Sequence, residues 1–348
     1  MYICPHTHCR DFDESGKDTI SRVLGVAEEA GFTAIVDVTN TKPATDNEEA
    51  ILRRFETADR ANSTVKYYMY LVLKPEARFL EWALRMYDKY EDIAGFKFFA
   101  GGSTNNPGVA DKEQSMIYRT LAQREYRGFM MVHCEDNALI RNLFFADDPV
   151  THAYARPREC EIFSVRDQIA LACHEDFQGH LHIAHLSVPE AVMAVREAKK
   201  HLNVSCGSTI HHLTMDYNMM KRPGGLRYKM NPPLRSLKDV RGLFEIFCSG
   251  GIDCIETDHA SHRDSEKMNK PYASGIIGLH AYPRFVAYLR EAGMGDQMIA
   301  DVTFGNVVKM FGGRIKAAQR KCVPNAGMNA RNLGYDIDPY EGFVFGKR

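Results

Sequence analysis

The chain opens Tyr2-Ile3-Cys4-Pro5-His6-Thr7-His8-Cys9-Arg10, an apolar lead running into two histidines and an arginine at a strict spacing of two. On a β-strand that spacing turns the three side chains to one face, with roughly 6.6 Å between alternate residues. Two imidazoles that close can share a metal ion, with a fixed cation one step beyond. A His-Thr-His run near a terminus also occurs as surface decoration or a tag remnant. Its meaning therefore depends on the rest of the chain.

Beyond residue 10 the sequence is periodic. Short β-branched, apolar runs alternate with longer amphipathic stretches, the pattern of βα units on a parallel sheet. Eight strands are expected, at 2–5, 33–38, 65–72, 93–98, 128–132, 180–184, 204–207 and 252–257. Helical patterns lie between them at 19–29, 47–59, 76–90, 114–125, 189–201 and 238–248. Gly31, Gly95, Gly128 and Gly251 fall just before strands, where helix C-cap glycines are expected. The pattern favours one α/β unit, a (β/α)8 TIM barrel over residues 1–316, with 317–348 as an irregular tail packed on its exterior. The longer loops, at 100–111, 135–157, 208–234 and 258–278, come after the C-terminal ends of strands, where a barrel holds its substrate.

Composition excludes other classes. The chain has 348 residues, 45% of them hydrophobic, enough for a large core. Its 44 basic and 45 acidic residues give a formal charge of −1 without long like-charge runs, so no electrostatic case exists for nucleic acid or an anionic membrane. A small-molecule substrate is the expected partner. Nine cysteines (4, 9, 134, 160, 173, 206, 248, 254 and 322) form no Cys-x-x-Cys pair and read as reduced thiols of a cytoplasmic protein. No signal-peptide pattern and no bilayer-length apolar stretch is present.

Ionisable residues collect at one end of the expected barrel. His6 and His8 close the first strand, Lys97 lies inside the Gly-Phe-Lys-Phe-Phe of the fourth, and His133, His185 and Asp258 end the fifth, sixth and eighth. One such histidine alone is ordinarily a hydrogen-bonded core residue; six ionisable groups at one mouth are not. A lysine buried among phenylalanines is costly and would repel cations, unless it snorkels to solvent, pairs with a carboxylate, or reacts as the neutral amine with carbon dioxide. The resulting carbamate can bridge two metals roughly 3.5 to 4 Å apart. Four neutral imidazoles, a carbamate and a carboxylate suit zinc. Water between two such ions is acidic enough to furnish a nucleophile near neutral pH, and Asp258 would hold its proton and pass it to a leaving nitrogen.

Several strings together resemble dihydroorotases of the amidohydrolase superfamily: residues 5–11 (Pro-His-Thr-His-Cys-Arg-Asp), 39–43 (Thr-Asn-Thr-Lys-Pro), 132–136 (Val-His-Cys-Glu-Asp), 182–187 (His-Ile-Ala-His-Leu-Ser), 229–235 (Lys-Met-Asn-Pro-Pro-Leu-Arg) and 257–262 (Thr-Asp-His-Ala-Ser-His). The resemblance implies two zinc ions per subunit, with His6, His8 and Asp258 on one, His133 and His185 on the other, and carbamylated Lys97 bridging. It implies that Arg10, Asn40 and His262 hold the substrate carboxylate, that Asn231 and the backbone of Ser274 and Gly275 bind the ring amides, and that Thr104 closes over substrate as a lid. The His-x-His motif begins at residue 6, so no N-terminal β-sandwich of the kind carried by longer relatives is expected. His280 stands where relatives often carry an acidic residue.

The implied activity is reversible cyclisation of N-carbamoyl-L-aspartate to L-dihydroorotate in pyrimidine biosynthesis, with a homodimer left open. Two alternatives accompany it. One is a hydantoinase- or allantoinase-like cyclic amidohydrolase without the carboxylate clamp; the other is a non-catalytic scaffold for a pyrimidine-pathway partner.

Overall fold

The computed structural model describes the chain apart from Asn105, residues 317–322 and residues 347–348. Its strands are β1 (Tyr2–His8), β2 (Phe32–Val38), β3 (Lys66–Val72), β4 (Ile93–Phe99), β5 (Phe129–His133), β6 (His180–Ile183), β7 (Val204–Thr209), β8 (Cys254–Glu256) and β9 (His259–Ala260). They form one sheet in the order β8-β7-β6-β5-β4-β3-β2-β1-β9, with parallel pairing throughout. β8 falls within the expected eighth strand (252–257), and β9, beyond the expected bounds, continues it past a break at Thr257 and Asp258. One piece pairs with β7 and the other with β1, so the broken strand closes the ring. This is the expected TIM barrel. Every residue of β1, β2, β4, β5 and β7 is buried, as a parallel sheet jacketed by helices requires.

The jacket comprises α1 (Ile20–Glu29), α2 (Glu48–Arg60), α3 (Ala77–Lys89), α4 (Asp111–Gln123), α5 (Thr151–Ala155), α6 (Arg158–His174), α7 (Pro189–Ala198), α8 (Ile210–Thr214), α9 (Leu237–Cys248), α10 (Asp264–Met268) and α11 (Tyr282–Glu291). Side chains of Thr19, Asn47 and Ser236 accept hydrogen bonds from the first-turn amides of α1, α2 and α9, fixing where those helices start. Helix α6 has no counterpart among the expected elements. Its buried face mixes Glu161, Ser164 and Gln168 with Cys160, Ile162 and Val165, so its apolar periodicity is erased. Gln168 instead donates to Gln114 of α4 at 2.7 Å, a polar contact inside the helical layer.

The glycine expectations need correction. Gly31 takes the left-handed backbone past α1 (φ +88°), but after α9 that conformation falls to Gly250 (φ +77°), not Gly251. Gly95 lies within β4 and caps nothing. A Cβ there would sit 2.2 Å from the Phe129 carbonyl oxygen, so close packing of β4 on β5 demands glycine.

Inside the barrel, Ile3, Val36, Tyr70, Phe129 and Met131 form an apolar plug, closed at the N-terminal strand ends by Val307, Met310 and Phe311. Phe311 stacks on Phe129 with ring centroids 4.1 Å apart. Beyond residue 322 the chain packs back on the barrel. Asp338 meets His280 at 2.9 Å, the Tyr335 hydroxyl lies 3.2 Å from His259 Nε2, and Phe345 rests on Phe285. The described cysteines are all free, only Cys173 and Cys248 are exposed, and Cys322 lies outside the described residues. No helix among the described residues is long and apolar enough to cross a membrane.

Candidate active site

Strand geometry sets the site. The β1 alternation sends His6 and His8 inward, Lys97 lies near the end of β4, His133 ends β5, His185 stands just past β6, and Asp258 occupies the break between β8 and β9. His185 and Asp258 both have φ of 41°, a left-handed backbone that L-residues adopt at a cost. That turn at the strand ends aims both side chains into the mouth.

His6, His8 and Asp258 offer ligand atoms that all lie within 4.8 Å of one another. Asp258 Oδ1 is 3.3 Å from His6 Nε2 and 3.0 Å from His8 Nε2. Across the mouth, His133 Nδ1 and His185 Nε2 converge to 3.1 Å, and the His6 and His185 rings stand 5.2 Å apart. Lys97 is fully buried with no hydrogen-bond partner for Nζ; the Phe99 ring lies 5.2 Å from it. One cavity is lined by His6, His8, Lys97, His133, His185 and Asp258 together with Arg10, Asn40, Thr104, Asn231, Ser274 and Gly275. His262, also singled out from sequence, packs against this lining beside Ser274 and Gly275. Its Nε2 lies 3.0 Å from the Ser274 carbonyl oxygen.

Thr104, in the loop after β4, bridges two sides of the mouth. Asn40 Nδ2 donates to the Thr104 carbonyl at 2.9 Å, and the Thr104 hydroxyl donates to the Ser274 carbonyl at 2.8 Å. Thr104 thereby ties the end of β2 to the loop beyond β9. Arg10 is buried, and its Nε and Nη1 have no hydrogen-bond partner.

Burial sets the charge states. Desolvation pushes Lys97 down to about 8 and His6 down to about 4, with the Lys97 charge adding to the His6 shift. Burial lowers His133 and His185 too, so these imidazoles are neutral at pH 7, the form that ligates metal. Burial alone would raise Asp258, but His6 and His8 outweigh it and hold the carboxyl well below the ordinary carboxylate range. Neutral nitrogens, one carboxylate and orphaned buried atoms on Lys97 and His185 fit a cationic cofactor held at this mouth.

Sequence reasoning passed over the carboxylates behind the ligands and assigned Asn40 to the substrate alone. His8 Nδ1 contacts Asn40 Oδ1 at 2.7 Å, and His6 Nδ1 contacts Glu256 Oε2 at 2.6 Å. Glu135 lies 3.2 Å from His133 Nε2, off the line of a hydrogen bond, and pairs with Arg156 at 2.5 Å. The signal for Glu256 was available: like Lys97, it is an ionisable residue inside an apolar strand, Cys254-Ile255-Glu256.

No family model matches the chain. It is 30% identical over 298 residues to a dihydroorotase of Geobacillus sp. (strain WCH70), covering 83% of this chain and 67% of the relative. A dihydroorotase of Staphylococcus epidermidis is 31% identical over 316 residues, covering 86% and 70%. Among solved structures, an L-hydantoinase from Arthrobacter aurescens superposes with a TM-score of 0.79 at 21% identity, over 94% of this chain and 74% of that one. A dihydroorotase from Campylobacter jejuni superposes with a TM-score of 0.68 at 18% identity, over 89% and 83%. These structural likenesses establish the barrel; the sequence relatives are closer, and by them the chain belongs to the dihydroorotase family.

Proposed function

We propose that this protein is a zinc-dependent dihydroorotase that interconverts N-carbamoyl-L-aspartate and L-dihydroorotate, working in the cytoplasm on pyrimidine biosynthesis. The observation that carries the reading is one cavity wall combining the histidine and aspartate cluster with a buried Arg10 whose Nε and Nη1 have no hydrogen-bond partner. His6, His8 and Asp258 would hold one zinc, His133 and His185 the other, and carbamylated Lys97 both. Lowering Lys97 to about 8 leaves about a tenth of the amine neutral at pH 7, far more than an ordinary lysine has, and the neutral amine is the form that adds carbon dioxide. Two such cations supply Lewis acidity toward a carbonyl and lower the pKa of water.

The residues of the chain do the rest. Arg10 pairs bidentately with the ring carboxylate, joined by Asn40. His262 joins them at that carboxylate. Asn231 and the backbone of Ser274 and Gly275 take the ring amides. Asp258, ionised at neutral pH, accepts a proton from the attacking water at a carboxylate oxygen and delivers it to the ring nitrogen as the amide opens; cyclisation reverses the transfer. Thr104, tied to Ser274, excludes water from the closed site.

Purified protein with zinc should interconvert the two compounds from mildly acidic to alkaline pH, with about two zinc ions per chain on metal analysis. Turnover of hydantoins with no reaction of the carboxylate-bearing pair would favour a hydantoinase-like enzyme. Absence of bound metal together with absence of turnover would favour a scaffold.

A further inference from the structure

Beneath the mouth lies a second group of buried polar residues, His182, Cys254 and Glu256, which the activity does not explain. Glu256 is fully buried and reaches three elements at once. Its Oε2 contacts His6 Nδ1 of β1 at 2.6 Å. Its Oε1 accepts from the His185 backbone N–H at 3.0 Å and lies 3.1 Å from His182 Nε2 of β6. His182 is in turn fixed by Ser205 at 2.7 Å. Room for this carboxylate comes from β7, where a Cβ on Gly207 would fall 2.0 Å from Glu256 Oε1.

We infer that Glu256, admitted by Gly207, is the positioning residue of the site: one buried carboxylate orients the His6 ring and anchors the backbone of His185, setting one residue from each of the two histidine pairs. Carboxylates face both ring nitrogens of His6, but Glu256 Oε2 is hydrogen-bonded to Nδ1 at 2.6 Å while Asp258 Oδ1 stands 3.3 Å from Nε2, so the ring proton sits at Nδ1 and the Nε2 lone pair is left for a ligand. Such partners are what orient metal-ligating histidines, and their loss typically weakens metal binding 10- to 100-fold. The role toward zinc rests on the proposed metal centre; the hold on the His6 ring does not.

Glu256→Gln tests the inference with almost no change of shape. The His185 N–H requires an oxygen at the Oε1 position, so the new amide nitrogen must face His6 Nδ1 and donate to it. His6 then carries its proton at Nε2, where a ligand's lone pair is needed. Zinc affinity, measured by chelator competition on the full-length protein, should fall about 10- to 100-fold, while the melting temperature of the metal-free protein stays near wild type. Wild-type affinity in the variant would overturn the inference.

Nitrogen-15 NMR of the metal-free proteins reads the tautomer directly. His6 should be protonated at Nδ1 in wild type and lose that preference in Glu256→Gln; unchanged His6 resonances refute the inference whatever the zinc content. Wild-type protein that takes up no zinc refutes the metal reading alone. Should Glu256→Gln fold poorly, Gly207→Ala displaces the carboxylate from the opposite side. It should weaken zinc binding in the wild-type background and have no effect in a Glu256→Ala background, because it acts only through Glu256. Equal effects in both backgrounds would refute the pairing.

Discussion

The two ends of the barrel are made from the same strands and obey opposite rules. At the N-terminal ends, Tyr70, Phe129 and Phe311 stack into an apolar plug, and the Tyr70 hydroxyl still finds the Pro5 carbonyl at 2.8 Å. At the C-terminal ends, Lys97 Nζ, Arg10 Nε and Nη1, and His185 Nδ1 are buried without partners, and His185 and Asp258 hold left-handed backbones. Packing maximises stability at the first end. At the second, unsatisfied groups and backbone strain lower stability to keep side chains poised for a ligand. Substitutions at the mouth should therefore remove function while sparing or raising stability, and substitutions at the plug should do the reverse.

The sharpest test is Lys97→Met, which replaces an unpaired buried amine with an apolar side chain of similar length. Activity should drop at least about 1,000-fold, equivalent to about 4 kcal/mol of barrel-mouth chemistry, with zinc lost on metal analysis. The metal-free protein should melt at the same or a higher temperature. A large fall in melting temperature would break the comparison.

Phe311→Ala lies at the opposite end. Truncating a stacked plug aromatic should destabilise the fold by about 3–5 kcal/mol in denaturant unfolding, while kcat/KM per folded molecule stays near wild type. Loss of turnover without loss of stability would show that the two ends are coupled.

Arg10→Met separates the carboxylate clamp from the metal centre. It should lower kcat/KM for dihydroorotate by about 2–5 kcal/mol, the usual loss for one partner of a buried charge pair, with zinc content unchanged. Unchanged kinetics would favour a cyclic amidohydrolase lacking the clamp. The smallest effect is expected for Thr104→Val, which removes the bond to the Ser274 carbonyl. One neutral hydrogen bond is worth about 0.5–1.5 kcal/mol, so a loss of roughly two- to twelvefold in kcat/KM is expected, with stability intact.

Much of this was readable from sequence because it is local. Strand and helix periodicity are properties of neighbouring residues, so the eight strand positions and the six ionisable groups at their ends emerged from alternation and spacing. Helix α6 was not readable, because Glu161 and Gln168 on its buried face cancel the apolar stripe. Nor did spacing along the loop show the contact that His262 makes with the Ser274 carbonyl oxygen at 3.0 Å.

By itself, then, the sequence determined the class of fold, the family and the residues gathered at one mouth, since each is written in short strings. Only the tertiary structure decided how the ring closes, through an eighth strand broken at Asp258, and how the plug is capped by Phe311. It alone paired His6 with Glu256, residues 250 positions apart whose contact depends on strand register across the closed barrel. Register and closure arise from the packing of the whole sheet, which no local pattern encodes.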